Sequence, residues 1–426
     1  MDIFQRCYDF TDADLVRQIG LYPYFQALSG SDGPVVELEG RQVVMMGSNN
    51  YLGLTHHPQV IAAAKEAIDR FGTGCTGSRA LNGNLTIHDE LEAELARFFR
   101  KESALIFSSG FLANTGAIGC LADDPEVVIF SDRENHASII EGTRMARAKI
   151  RLFDGTADLA EQLSERKDWP HALVITEGIF SMTGRIGDLR GVVELKRRYG
   201  FRLYFDDAHG IGVLGPNGRG TAAEQGVEDD VDLLFGTFSK SLASMGGFIA
   251  GDAKVIDYLR HKARTQIFTA GLSASSAAAA LTALRVMQRE PDLLTQNREN
   301  VAFFRDGLEQ LGFYTMGSTT PILPIFVGSE SLAIRICKEL LDMDVFTTPV
   351  VHPAVPFGHA LLRTSTTPAH TRTHLQKVLD ALAVIKQRYD IPEVDEDHLP
   401  VREEMDFTYF FTGGPSDEIE KHVGNP

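Results

Sequence analysis

Residues 232–251 read DLLFGTFSKSLASMGGFIAG. The apolar run at 233–235 has the length of a buried strand, and Gly246 and Gly247 turn the chain into a second apolar run at 248–250. Between the two runs stand Thr237, Ser239 and Lys240, polar groups that are costly to bury unless they are used. A lysine held on a tight connection between two core elements is positioned and desolvated. Desolvation favours the neutral amine, the form that attacks a carbonyl carbon and closes a Schiff base. Taken alone, the stretch fits equally a surface lysine in a serine-rich turn, so the flanking chain has to decide.

Upstream, short apolar runs at 104–108, 127–130, 150–153, 173–176 and 202–205 alternate with helical patterns, and the runs at 233–235 and 248–250 complete the series. This rhythm is that of a mainly parallel α/β sheet flanked by helices. In such sheets ligands bind beyond the carboxyl ends of the strands, so the residues just after each run carry the functional reading. Thr86 and Asp89 predict a capping box for a helix running to Arg100. The glycine-dense loop GTGCTGSRALNG at 72–83 predicts a backbone that passes close to a neighbour or takes positive φ. After about residue 290 the pattern changes to a smaller α+β arrangement. The expected division is an N-terminal arm at 1–45, a large domain at 46–290, a small domain at 291–392 and a tail at 393–426.

Composition narrows the class. A net charge of −17 over 426 residues argues against nucleic-acid backbones and anionic membrane surfaces as partners of the chain as a whole, while a local basic patch stays compatible with peripheral membrane contact. No apolar run is long enough to span a bilayer, and the acidic start of the chain has no signal-like apolar core, so the expected compartment is the cytoplasm. Cys7, Cys75, Cys120 and Cys337 form no CxxC pair, which predicts reduced thiols and no metal site. The tail carries ten acidic residues against Arg402 and Lys421, together with Phe407, Tyr409, Phe410 and Phe411, and is expected to pack back through its aromatic side chains.

The strand-end residues form a set. Ser109, Gly110 and Phe111 open a helix after the first run, where unpaired backbone N–H groups suit a phosphate. Asn135 and His136 follow the second run; Glu177, Ser181 and Met182 follow the fourth; Asp206, Asp207 and His209 follow the fifth. Two adjacent carboxylates after a buried strand call for a cation, either a metal ion or a protonated ring nitrogen. A ligand with a phosphate, an aromatic cation and an aldehyde satisfies the set: pyridoxal phosphate, with Lys240 for the aldehyde, Asp206 for the pyridinium and His136 for the ring face.

The motifs GSNNYLGL (47–54), GTGCTGSRALNG, SSGFLAN, NHASIIEG, EGIFSMTG, DDAHGIGVLG, GTFSKSLASMGGFIAG and RTSTTPAHT, in this order, resemble those of the α-oxoamine synthases, pyridoxal phosphate enzymes of fold type I. The resemblance runs from about residue 20 to 390. Within the family, GTGCTGSR, TFSKS and the TPVVHPAVP segment before Arg363 are most similar to the bacterial branch that joins L-serine to a palmitoyl thioester. The resemblance implies that Lys240 forms the internal aldimine and removes the substrate α-proton, and that Asp206 holds the pyridinium and His209 the ring hydroxyl. His136 would stack on the ring and orient the substrate carboxylate. Gly110, Phe111, Thr237 and Ser239 would bind or border the phosphate, with Ser181 a further cofactor contact, while Arg363 and Asn49 would bind substrate.

The implied reaction is a decarboxylative condensation of L-serine with palmitoyl-CoA, or with an acyl carrier protein as donor, giving 3-oxosphinganine and committing sphingolipid synthesis. The implied assembly is a homodimer. Two alternatives stand beside this reading: another α-oxoamine synthase using glycine or alanine, and a non-catalytic partner subunit, which predicts loss of the lysine that is present here.

Overall fold

The structure, a computed structural model, describes residues 2–31, 33–391 and 394. The tail expected at 393–426 lies, but for Val394, outside the described residues. Among the described residues the chain divides into two compact units: one of Asn49–Glu299 with Thr367–Ala369, the other of residues up to Ser48, Asn300–Thr366 and residues 370–391.

The larger unit is built on a seven-stranded sheet whose strands we number β1 (Ser103–Phe107), β2 (Val128–Asp132), β3 (Lys149–Phe153), β4 (Ala172–Glu177), β5 (Arg202–Asp206), β6 (Leu233–Thr237) and β7 (Gly247–Gly251). All seven coincide with the apolar runs of the sequence, to within two residues at their ends. Their order is β1-β7-β6-β5-β4-β2-β3. From β6 to β3 neighbours run parallel, whereas β7 is antiparallel to both β6 and β1. Chain length explains the exception: residues 238–246 are too few for the crossover that a parallel neighbour requires, so the chain must fold back as a hairpin. Gly246 makes the turn at φ +111°, where a Cβ would also press on Phe238 and on the Phe107 carbonyl.

Both faces of the sheet are covered except along the edge strand β3, which is why the other strands read as continuous apolar runs rather than as alternations. Leu203 and Phe205 face one core with Ile106, Val174 and Phe248, while Tyr204 faces the other with Leu105, Ile175 and Phe235. The helix expected from Thr86 is present at Thr86–Phe98, but its cap differs. The Leu85 N–H donates to His88 Nδ1 at 3.1 Å, and Asp89 instead takes bonds from Arg79 and Asn84. The glycine-dense loop before it closes on itself: a Cβ at Gly83 would lie 1.9 Å from the Gly77 carbonyl oxygen. Arg79 anchors that loop through a buried ion pair to Glu92, whose carboxylate also accepts from the Ile106 N–H and from Arg260.

In the second unit, strands Leu28–Ser31, Val35–Leu38 and Arg41–Met45 form an antiparallel run joined by the short parallel strand Val345–Phe346. A three-stranded antiparallel sheet follows in the order Ile322–Gly328, Ala360–Ser365, Thr348–Val350. Helices Glu330–Asp342 and Arg372–Arg388 seal its core, which gathers Leu323, Ile325, Ile336, Leu340, Leu362, Leu375 and Leu382 with Val44 from the amino-terminal strands. The first 48 residues thus belong to this unit, and the division between units falls inside the helix Asp292–Gln310.

Candidate active site

The carboxyl ends of β2, β4, β5 and β6 open on one cavity of about 350 Å³, lined among others by Asn49, Gly110, His136, Asp206, His209 and Lys240. Every residue of this lining belongs to the larger unit. Phe111, Thr237 and Ser239 also line it. Ser181 lies in the turn after β4, half-buried, and is not part of the lining; Arg363 lies on Ala360–Ser365 of the other unit, with 7% of its surface exposed.

At one end of the cavity the helix α1 (Gly110–Leu121) begins. Ser109 caps it, its Oγ accepting from the Leu112 N–H at 3.1 Å, and the amides of the first turn point out of the helix end toward the cavity. Space there is reserved: a Cβ on Gly110 would sit 3.0 Å from Thr237 Oγ1, and one on Gly247 would sit 2.7 Å from Gly110 Cα. Thr237 donates to the Gly246 carbonyl at 3.1 Å and meets Ser239 Oγ at 2.9 Å. Two hydroxyls beside a helix N-terminus make an anion cradle.

At the other end lies a buried carboxylate. Asp206 Oδ1 accepts from the Ala208 N–H and Oδ2 from Asn114 Nδ2, both at 2.9 Å. The parallel register sets Glu177 directly beside it on β4, where Glu177 accepts the backbone N–H of His136. Burial raises the pKa of Asp206, opposed first by the positive charge of Lys240. Burial, and then the Asp206 charge, hold Glu177 well above the usual carboxylate range. Such a site is short of positive charge and gains by accepting a cation.

The two adjacent carboxylates at the end of β5, Asp206 and Asp207, do not act as a pair. Strand alternation sends Asp207 to the other side, where it accepts the N–H and Oγ1–H of Thr221, both at 2.7 Å. Its pKa is nevertheless raised to about 7 by burial. That of Asp132, at the end of β2, is raised to about 6 for the same reason, despite the Glu134 N–H and Thr176 hydroxyl that it accepts. Both groups bind protons in the folded protein at pH values where the unfolded chain is ionised. Their contribution to stability therefore falls as pH rises from about 4 through about 7. Thermal melts of the cofactor-free protein should show Asp207→Asn losing much of the wild-type decline in Tm over that window; an unchanged slope would refute the assignment.

Histidines flank the cavity. His136 caps the helix α2 (Ala137–Met145), its Nδ1 accepting the Ser138 N–H at 3.2 Å. The neutral ring then carries its proton on Nε2. Burial lowers its pKa; Asp206 pulls it up and Lys240 pushes it down. On the other side, Tyr51 donates its hydroxyl proton to Asn49 Oδ1 at 3.0 Å and meets His209 Nδ1 at 2.8 Å. Lys240 sits half-buried on the hairpin loop between β6 and β7.

Sequence reasoning missed Asn114, Ser138, Tyr51 and Tyr204, and gave Glu177 no role. Asn114 had a visible signal, since it lies four residues after Gly110 on one helix and therefore on the same face.

The sequence matches the family described as aminotransferase class I and II over residues 41–382. The serine palmitoyltransferase of Bacteriovorax stolpii is 44% identical over 383 residues, covering 89% of this chain and 91% of that protein. The chain belongs to the α-oxoamine synthases. The 8-amino-7-oxononanoate synthase of Thermoanaerobacter pseudethanolicus is 38% identical, covering 88% and 96%. Among solved structures, the serine palmitoyltransferase of S. paucimobilis with a bound PLP–myriocin aldimine superposes with a TM-score of 0.88 at 31% identity, covering 91% of this α-oxoamine synthase and 99% of that chain.

Proposed function

We propose that this α-oxoamine synthase is a serine palmitoyltransferase, condensing L-serine with palmitoyl-CoA to 3-oxosphinganine, coenzyme A and carbon dioxide. The observation that carries the reading is that four relatives at 39–44% identity, spanning 87–91% of this chain, bear that name. The cavity fits pyridoxal phosphate on its own terms: an anion cradle at α1, a buried carboxylate in need of a cation, and the Lys240 amine in the same lining. Bound there, the cofactor supplies an aldehyde for amine capture and an electron-withdrawing ring.

The side chains would then divide the work. Lys240 Nζ would hold the aldehyde and later take the proton from the substrate Cα. Asp206, ionised, would keep the ring nitrogen protonated, and His209 would hold the ring hydroxyl. His136 would cover the ring face, with Nε2–H as the donor to the substrate carboxylate. Gly110, Phe111, Thr237 and Ser239 would receive the phosphate, and Asn49 would border the amino acid. Arg363 for the substrate carboxylate and Ser181 for the cofactor rest on the resemblance alone.

A homodimer is part of the proposal, supported by Phe111 and Met245, apolar cavity-lining side chains that are 46% and 65% exposed. A cytoplasmic location is also proposed; among the described residues no helix is long and apolar enough to cross a membrane. A second reading, condensation of glycine or alanine with another acyl thioester, is favoured by relatives named 8-amino-7-oxononanoate synthase at 38–40% identity.

Incubating the loaded protein with palmitoyl-CoA and each of serine, glycine and alanine, and identifying the ketone by mass spectrometry, decides between them. The expected product forms with serine. Product formed only with glycine or alanine overturns the assignment.

A further inference from the structure

Asn114 stands on α1 one turn beyond Gly110 and is fully buried. Tyr204 Oη, also buried, lies 2.7 Å from Asn114 Oδ1. Burial holds the phenol well above its ordinary pKa, so it keeps its proton and donates it. That bond fixes which end of the amide is oxygen. Both hydrogens of Nδ2 are then committed, one to Asp206 Oδ2 and one to Ser138 Oγ, each at 2.9 Å. Ser138, having accepted, turns its own proton toward His136 Nδ1 at 2.8 Å. The bonds run in one direction, from Tyr204 through Asn114 to the two groups that face the cavity.

We propose that Asn114 is a positioning residue, oriented by Tyr204, whose single amide holds the carboxylate of Asp206 in its ionised form and braces His136 through Ser138. The inference rests on the assignment of Asp206 to the ring nitrogen of the cofactor. Other groups act on Asp206 as well: the Ala208 N–H on Oδ1, Glu177 from β4, Asp207 beside it, and the cations Lys240 and, when protonated, His136. None of these replaces a short donor aimed at Oδ2. A neutral donor to a buried carboxylate favours its charged form, and loss of one such bond shifts a coupled titration by about one pH unit.

The test is a pH titration of the visible absorbance of the pyridoxal-phosphate-loaded protein, together with the cofactor Kd, in wild type, Asn114→Ala and Tyr204→Phe. Asn114→Ala should move the absorbance midpoint upward by about one pH unit, because a ring that Asp206 keeps protonated less often withdraws less charge from the nitrogen joined to Lys240, which then holds its proton to higher pH, and should weaken cofactor binding about tenfold. Tyr204→Phe removes one oxygen and should shift both readouts in the same direction by less. It keeps the proposal testable should Asn114→Ala fail to fold. A purely structural amide would lower Tm and leave the midpoint in place, and that result in either folded variant overturns the proposal. If Asp206→Asn itself leaves the midpoint unmoved, the assignment of Asp206 has failed rather than that of Asn114.

Discussion

Lys240→Ala is expected to lower turnover by more than about a thousandfold, since it removes both the group that holds the aldehyde and the base that takes the α-proton. Kinetics alone would not identify the amine, because many substitutions in a tight cavity slow an enzyme. The decisive readout is covalent. Borohydride reduction of the loaded wild type should fix one cofactor per chain, detected as an intact-mass increase that maps to the peptide containing Lys240. The alanine variant should give no such adduct while retaining cofactor through the cradle at Gly110, Thr237 and Ser239. An adduct on another lysine would refute the assignment and, with it, the reading of the hairpin loop.

The second large effect concerns Asp206 and has opposite signs in two states of the protein. In the loaded protein Asp206→Asn replaces an anion facing a cationic ring by a neutral amide, and loss of a buried charge partner of this kind costs about 3–5 kcal/mol. Turnover and cofactor affinity should both fall, each by two or more orders of magnitude. In the cofactor-free protein the same carboxylate is desolvated beside Glu177 and held with a raised pKa, so its ionised form is a liability at neutral pH. There Asp206→Asn should raise Tm. Thermal melts with and without pyridoxal phosphate test both signs, and a variant that loses stability in both states would reduce Asp206 to a packing residue.

How far the sequence led depended on the range of the interactions involved. Six strands of the larger sheet were legible because they are largely buried on both faces and so read as apolar runs, whereas the edge strand β3, exposed at Lys149 and Ile150, was legible only from Ile150, Leu152 and Phe153. Lys240, Asp206, His136 and His209 were legible as a group because a parallel sheet brings its carboxyl ends to one side. The partners that orient them were not. Tyr204 looks like a core aromatic until its hydroxyl is seen against Asn114, and Tyr51 lies far upstream of the His209 that it meets. The adjacency of Asp206 and Asp207 suggested shared work, whereas the alternation of a strand parts them. The cap at Leu85 depended on the rotation of His88, which spacing does not encode. The pairing of Val345 with Val44 joins two segments far apart in the sequence, and no local pattern announces it.

The hairpin that carries Lys240 has a mechanical meaning. Both of its strands, β6 and β7, are interior to the sheet and hydrogen-bonded on each side, and Gly247 is pressed against the backbone of Gly110. A loop mounted in this way cannot swing as a flap. Whatever distance the amine covers between capturing an aldehyde and receiving a proton must be covered by the four methylenes of the side chain, a tether on a fixed post.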